Sequence, residues 1–115
     1  MAKYEARLRG SFHDVLRDID EGILKGSVSA SREDGSDWQS GPIRCAVRVY
    51  ERYSMMGGNR CSMNVTLIGD GDALFLSAIT AGGSQAVFFK INTWGEESFL
   101  ETLVNIAEKY RSERH

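Results

Sequence analysis

Between Ile43 and Ala81 apolar and polar side chains alternate through three consecutive segments, interrupted only by short glycine-containing stretches. Side chains two positions apart share one face of an extended strand, so this pattern confines the region to strands joined directly by turns. The strands run from Ile43 to Tyr53, Arg60 to Ile68 and Ala73 to Ala81, with Met55-Met56-Gly57-Gly58-Asn59 and Asp70-Gly71 turning the chain. Parity groups Cys45, Val47, Val49 and Glu51 on one face of the first strand and Arg44, Arg48, Tyr50 and Arg52 on the other. Cys61, Met63, Val65 and Leu67 form the apolar face of the second. A two-residue turn at Asp70-Gly71 pairs Leu67 with Leu74 and Val65 with Leu76. A five-residue connection sets Tyr53 opposite Cys61 and Val49 opposite Val65, so Cys45, Val47, Val49 and Glu51 are expected to face the core. In that register the two cysteines are too far apart for a disulfide.

The flanking segments add helices. Lys3 to Arg9 alternates Tyr4, Ala6 and Leu8 with charged residues and reads as a half-buried strand broken by Gly10. Ser11 sits at an N-cap position, and Phe12, Val15, Leu16, Ile19 and Ile23 recur at helical spacing. A helix is expected from Phe12 to Leu24, with Gly26 as its stop. Ser27 to Glu33 reads as a weaker strand, and Asp34 to Pro42, which holds the only proline, as a turn-rich loop. Gln85 to Ile91 reads as a further strand. Thr93-Trp94-Gly95-Glu96 then has the spacing of a capping box, followed by an apolar stripe of Phe99, Leu100, Leu103, Ile106, Ala107 and Tyr110.

At 115 residues the chain fits one domain, 1–115, able to bury a single core without metal or disulfide. Fourteen basic against sixteen acidic residues give a formal charge of -2, which provides no overall field for nucleic acid or an anionic membrane surface. No stretch approaches the ~20 apolar residues that span a bilayer, and Met1 to Glu5 lacks the apolar run of a signal peptide, so a cytoplasmic location is expected.

The order strand, helix, four strands, one optional strand, helix defines an α+β fold. The expected architecture is a curved antiparallel sheet of five to six strands, its apolar face covered by the C-terminal helix. This order resembles the TATA-binding-protein-like or helix-grip architecture, whose larger members hold apolar ligands between sheet and helix. The run Gly82-Gly83-Ser84-Gln85-Ala86, with Phe88-Phe89-Lys90-Ile91-Asn92-Thr93-Trp94-Gly95-Glu96-Glu97 after it, resembles a short bacterial family of uncharacterised function. That resemblance implies no activity.

Chemistry-bearing residues are sparse. His13 lies beside a helix N-cap and His115 at the terminus, so no cysteine or serine nucleophile has an evident base. Asp70 and Asp72 suit a hairpin turn better than a calcium loop, and Asp34, Ser36 and Asp37 read the same way. Neither Gly57-Gly58-Asn59-Arg60 nor Gly82-Gly83-Ser84 matches a phosphate-binding fingerprint. Arg44, Arg48 and Arg52 beside Tyr50 read as a solvated face. Glu51 stands out because parity puts a charge among apolar core positions, opposite Met63.

Two functional expectations follow, both without cofactor or metal. A non-enzymatic domain would take a small apolar or amphipathic ligand between sheet and terminal helix, near Glu51, Met63, Thr80, Ser84 and Trp94. Alternatively, Tyr50, Ile68, Phe75 and Ile79 would form an apolar outer face that drives homo-oligomer formation, unless the first helix covers it. An enzyme using Glu51 as acid or base is the weakest expectation.

Overall fold

The computed structural model describes residues 1–27, 29–53, 60–82 and 89–112, with the side chains of 89–97 outside that description. The chain runs through β1 (Ala2–Arg9), α1 (Phe12–Gly26), β2 (Ser31–Ser40), β3 (Ile43–Tyr53), β4 (Arg60–Asp70), β5 (Ala73–Gly82) and α2 (Phe89–Ala107), ending in a 3-10 turn over Glu108–Tyr110. The five strands form one antiparallel sheet in the order β1-β5-β4-β3-β2. The α+β class and the C-terminal helix packed on the sheet match the expectation from periodicity.

β1 and β2 lie at opposite edges, so α1 must carry the chain across the whole sheet. Fifteen helical residues span about 22 Å at 1.5 Å each, against about 19 Å for four interstrand spacings, so the helix length suits the crossing. Ser11 caps this helix, its side chain accepting from the Asp14 amide at 3.2 Å. Phe12, Val15, Ile19 and Ile23 are its buried stripe. They meet Ala6 and Leu8 of β1, Met63, Val65 and Leu67 of β4, Leu74, Leu76 and Ala78 of β5, and Phe99, Leu100 and Leu103 of α2 in one core. Both helices therefore lie on the same side of the sheet.

Four local expectations are corrected. Asp34 to Ser40 is strand rather than loop: β2 pairs with β3 from Ser31↔Glu51 to Ser40↔Ile43, and only Gly41 and Pro42 turn the chain, with Gly41 at φ +56°. All ten β2 residues are exposed, so backbone pairing rather than apolar burial holds an edge strand whose side chains carry no alternation to read. The turn after β4 is Gly71-Asp72, with Gly71 at φ +65°, and Leu67 pairs with Leu76 and Val65 with Ala78. This shift of two preserves parity, so the β4 and β5 core faces stand as expected. Residues Phe89, Lys90 and Ile91 begin α2 instead of ending a strand, and Thr93 lies inside that helix; the rest of the expected strand lies outside the described residues. Gly26 is the last helical residue, and its missing Cβ allows close approach of Thr102, whose Cγ2 would lie 3.1 Å from it.

The fourth correction concerns β3. Tyr53 opposes Arg60, Tyr50 opposes Met63 and Glu51 opposes Ser62, one residue away from the expected register. The connection holds six residues rather than five, and a single-residue slip exchanges the two faces of a strand. Ala46 and Tyr50 are thus the buried β3 residues, with Arg44 and Arg52 on their side. Aromatic rings accommodate these arginines: Arg44 lies over Phe12 at 4.4 Å and Arg52 over Phe99 at 4.8 Å. Burial lowers the Arg52 pKa, partly offset by Cys61.

Candidate functional site

With both helices on one side, the opposite face of the sheet has no covering layer among the described residues. Strand pairing places on it Ile43, Cys45, Val47, Val49 and Glu51 of β3, Asn64, Thr66 and Ile68 of β4, and Phe75, Ser77 and Ile79 of β5. Trp38, Ile68, Phe75 and Ile79 are large apolar side chains exposed by 60%, 39%, 38% and 40%. Three of them fall in one cross-strand row with Cys45, since Trp38 pairs with Cys45, Cys45 with Ile68, and Ile68 with Phe75, which in turn pairs with Arg7. Directly opposed side chains sit about 5 Å apart, so the row is a continuous ridge. A shallow hollow of about 600 Å³ lies beside it, with Arg7, Ile68 and Phe75 in its wall.

The two edges of this face differ in their charged residues. β1 contributes Lys3, Arg7 and Arg9, which pair with Ile79, Phe75 and Ala73, while Glu5 accepts at 3.0 Å from the Ser77 hydroxyl. At the opposite edge the register sets Asp34 beside Val49. Glu51 lies 2.5 Å from Arg60 Nη2 in a charge contact that lacks hydrogen-bond alignment, and Arg60 also covers the Tyr53 ring at 5.1 Å.

The residues expected to line a pocket separate. Met63 and Thr80 are register partners and fully buried on the helix side. Thr80 is occupied by Ala2, accepting from its amide at 3.3 Å and donating to its carbonyl at 3.4 Å. Glu51 lies on the opposite face, which removes it as the polar anchor of that space. Ser84 and the Trp94 side chain lie outside the described residues. Of the expected interface set, Ile68, Phe75 and Ile79 share the bare face, whereas Tyr50 is buried in the core with its hydroxyl donating to Asp20 Oδ1 at 2.8 Å. Burial, then this bond, raise the Tyr50 pKa above that of an ordinary phenol. Trp38 was hidden from sequence reasoning by the loop assignment; the two-residue turn Gly41-Pro42 between Ser40 and Ile43 is the signal that would have found it.

Among the described residues no group of three or more His, Cys, Asp or Glu could hold a metal ion, and no helix is long and apolar enough to cross a membrane. The model of DUF6054, a family of unknown function, matches residues 1–111. No curated protein and no solved structure matches the chain.

Proposed function

Because the chain belongs to DUF6054, a family of unknown function, we propose from its geometry that it is a non-enzymatic interaction domain whose bare sheet face docks against that of a second copy. The observation that carries this reading is the self-complementarity of the face. Its cross-strand rows run Lys3–Ile79–Asn64–Val49–Asp34 and Arg7–Phe75–Ile68–Cys45–Trp38. A twofold axis along the central strand β4 superposes each row on its own reverse. Lys3 then meets Asp34 of the second copy, Arg7 meets the Trp38 ring, and Ile68 meets Ile68. Five strands about 4.8 Å apart and roughly ten residues long present about 800 Å² each, the contribution per partner of a standard stable interface.

Several finer features accord with this reading. The first strand closes against the last beneath the terminal helix, as in a small helix-grip or TBP-like sheet. Two cysteines held as thiols, one buried and one half-buried, suit a reducing cytoplasm. The pairing of Glu51 with Arg60 on an open sheet favours binding over acid-base catalysis. Sedimentation velocity at micromolar to ~100 μM protein tests the assembly. Lys3→Asp is expected to weaken the dimer by about tenfold, and the double variant Lys3→Asp with Asp34→Lys to restore it. A wild-type chain that remains monomeric throughout this range would overturn the proposal.

A further inference from the structure

A second feature lies on the helix side, away from the bare face. Among the described residues no helix covers β2, whose ten residues are all exposed. Between the β2–β3 hairpin and the flank of α1 this leaves a cleft of about 480 Å³, within the size range of small-molecule sites. Its charged walls comprise Arg17, Arg32, Arg44 and Arg48 against Asp20 and Asp37, a formal excess of two positive charges. The whole chain, by contrast, carries -2. A concave wall of one sign concentrates the opposite sign in the space it encloses.

The arginines are not equivalent. Arg17 is turned toward carboxylates of its own helix, Asp14 at 3.3 Å and Asp18 at 3.7 Å. Arg32 is committed to Asp20 at 3.0 Å, and that carboxylate is itself held by the Tyr50 hydroxyl. Arg48 shows the reverse arrangement. Its side chain is only 13% exposed and is anchored by donation to the Val47 carbonyl at 2.9 Å, while its counter-ion Asp37, at 3.0 Å, is 70% exposed. The fixed half of this pair is the cation, and the half free to swing into water is the carboxylate. Arg44 has no carboxylate partner among the described residues; its guanidinium rests over the Phe12 ring, which orients it without consuming its N–H donors. Arg44 and Arg48 share one face of β3, with only the methyl of Ala46 between them.

We infer that this cleft binds a small organic oxyanion, a phosphate or carboxylate carried on a compact apolar body. Arg44 supplies an uncommitted planar donor fork, and Arg48 exchanges Asp37 for the incoming anion. Leu16, only partly buried, lines the same cleft and takes the apolar part. Asp37 acts as a built-in competitor, which sets affinity without touching the ligand.

Isothermal titration at low ionic strength, with phenyl phosphate and phthalate as the two probes, tests the site. Saturable binding of either is expected, and whichever binds more tightly assigns the anionic group. Arg44→Ala should weaken it by about tenfold and Arg44→Lys by about threefold, because an ammonium does not reproduce the guanidinium fork. Asp37→Asn should tighten binding by about threefold, a gain that general loss of structure cannot mimic. Absence of saturable binding of both probes up to about 10 mM, or equal affinity in the wild type and Arg44→Ala, overturns the inference.

Discussion

Replacing Tyr50 by phenylalanine removes one hydroxyl from the core and leaves the ring, so it isolates the link between β3 and α1. The hydroxyl donates to Asp20 Oδ1 at 2.8 Å, and Asp20 also accepts from Arg32 Nη1 at 3.0 Å. A hydrogen bond to an ionised carboxylate contributes about 1.5–3 kcal/mol. Asp20 keeps Arg32 and is 23% exposed, so water takes part of the vacated position and the lower end applies. Tyr50→Phe is therefore expected to cost about 1.5 kcal/mol at neutral pH, lowering Tm by about 5 °C. The pH dependence has a definite sign. Burial first, and the Asp20 bond second, raise the folded-state pKa of Tyr50 above the ordinary phenol value of about 10. A group whose pKa is raised by folding contributes stability that is complete below its unfolded pKa and is lost as pH climbs from there toward the folded value. Urea denaturation followed from pH 7 to about pH 11 should thus show the wild type losing its advantage over Tyr50→Phe above about pH 10. A variant within about 0.5 kcal/mol of wild type at pH 7, with the same alkaline slope, would refute the assigned role of the hydroxyl.

Two further outcomes are expected. A Cβ at Gly69 would lie 2.8 Å from both Leu74 Cδ2 and Phe12 Cδ2, so Gly69→Ala should destabilise by about 1–2 kcal/mol despite its lower backbone entropy cost, as read from thermal melts. At the C-terminal end, donation from the Tyr4 hydroxyl at 2.7 Å and from Arg111 at 2.8 Å lowers the Glu108 pKa, and burial with the same bond pushes Tyr4 up to about 12. A lowered carboxyl pKa contributes stability above the unfolded value that is lost as pH falls through the folded one. Wild type should accordingly lose stability more steeply than Glu108→Gln below about pH 4.5, seen as converging urea midpoints.

Much of the local structure was legible because its causes are local. The N-cap at Ser11, the buried stripe Phe12-Val15-Ile19-Ile23, the full extent of β3 and the core faces of β4 and β5 follow from capping chemistry and side-chain period. Even the misplaced turn at Asp70-Gly71 did no harm, since a shift of two leaves every side chain on its face. β2 was illegible for the opposite reason. An edge strand with ten exposed residues buries nothing, so its sequence carries no period, and only the donors and acceptors of β3 make it a strand.

The sequence by itself determined the α+β class, the first helix, the strands β1, β3, β4 and β5 and the C-terminal helix, because periodicity and capping are properties of the chain alone. Tertiary structure decided which face of β3 meets the helices. That choice moved Tyr50 into the core, Glu51 onto the open sheet, and Arg44 and Arg48 into a cleft beside α1. It turned on one residue of connection length between Tyr53 and Arg60, which period-2 alternation cannot report. The Trp38–Phe75 ridge and the arginine cleft are likewise assembled by pairing between distant strands and by the crossing of α1, contacts that exist only after the chain has closed on itself.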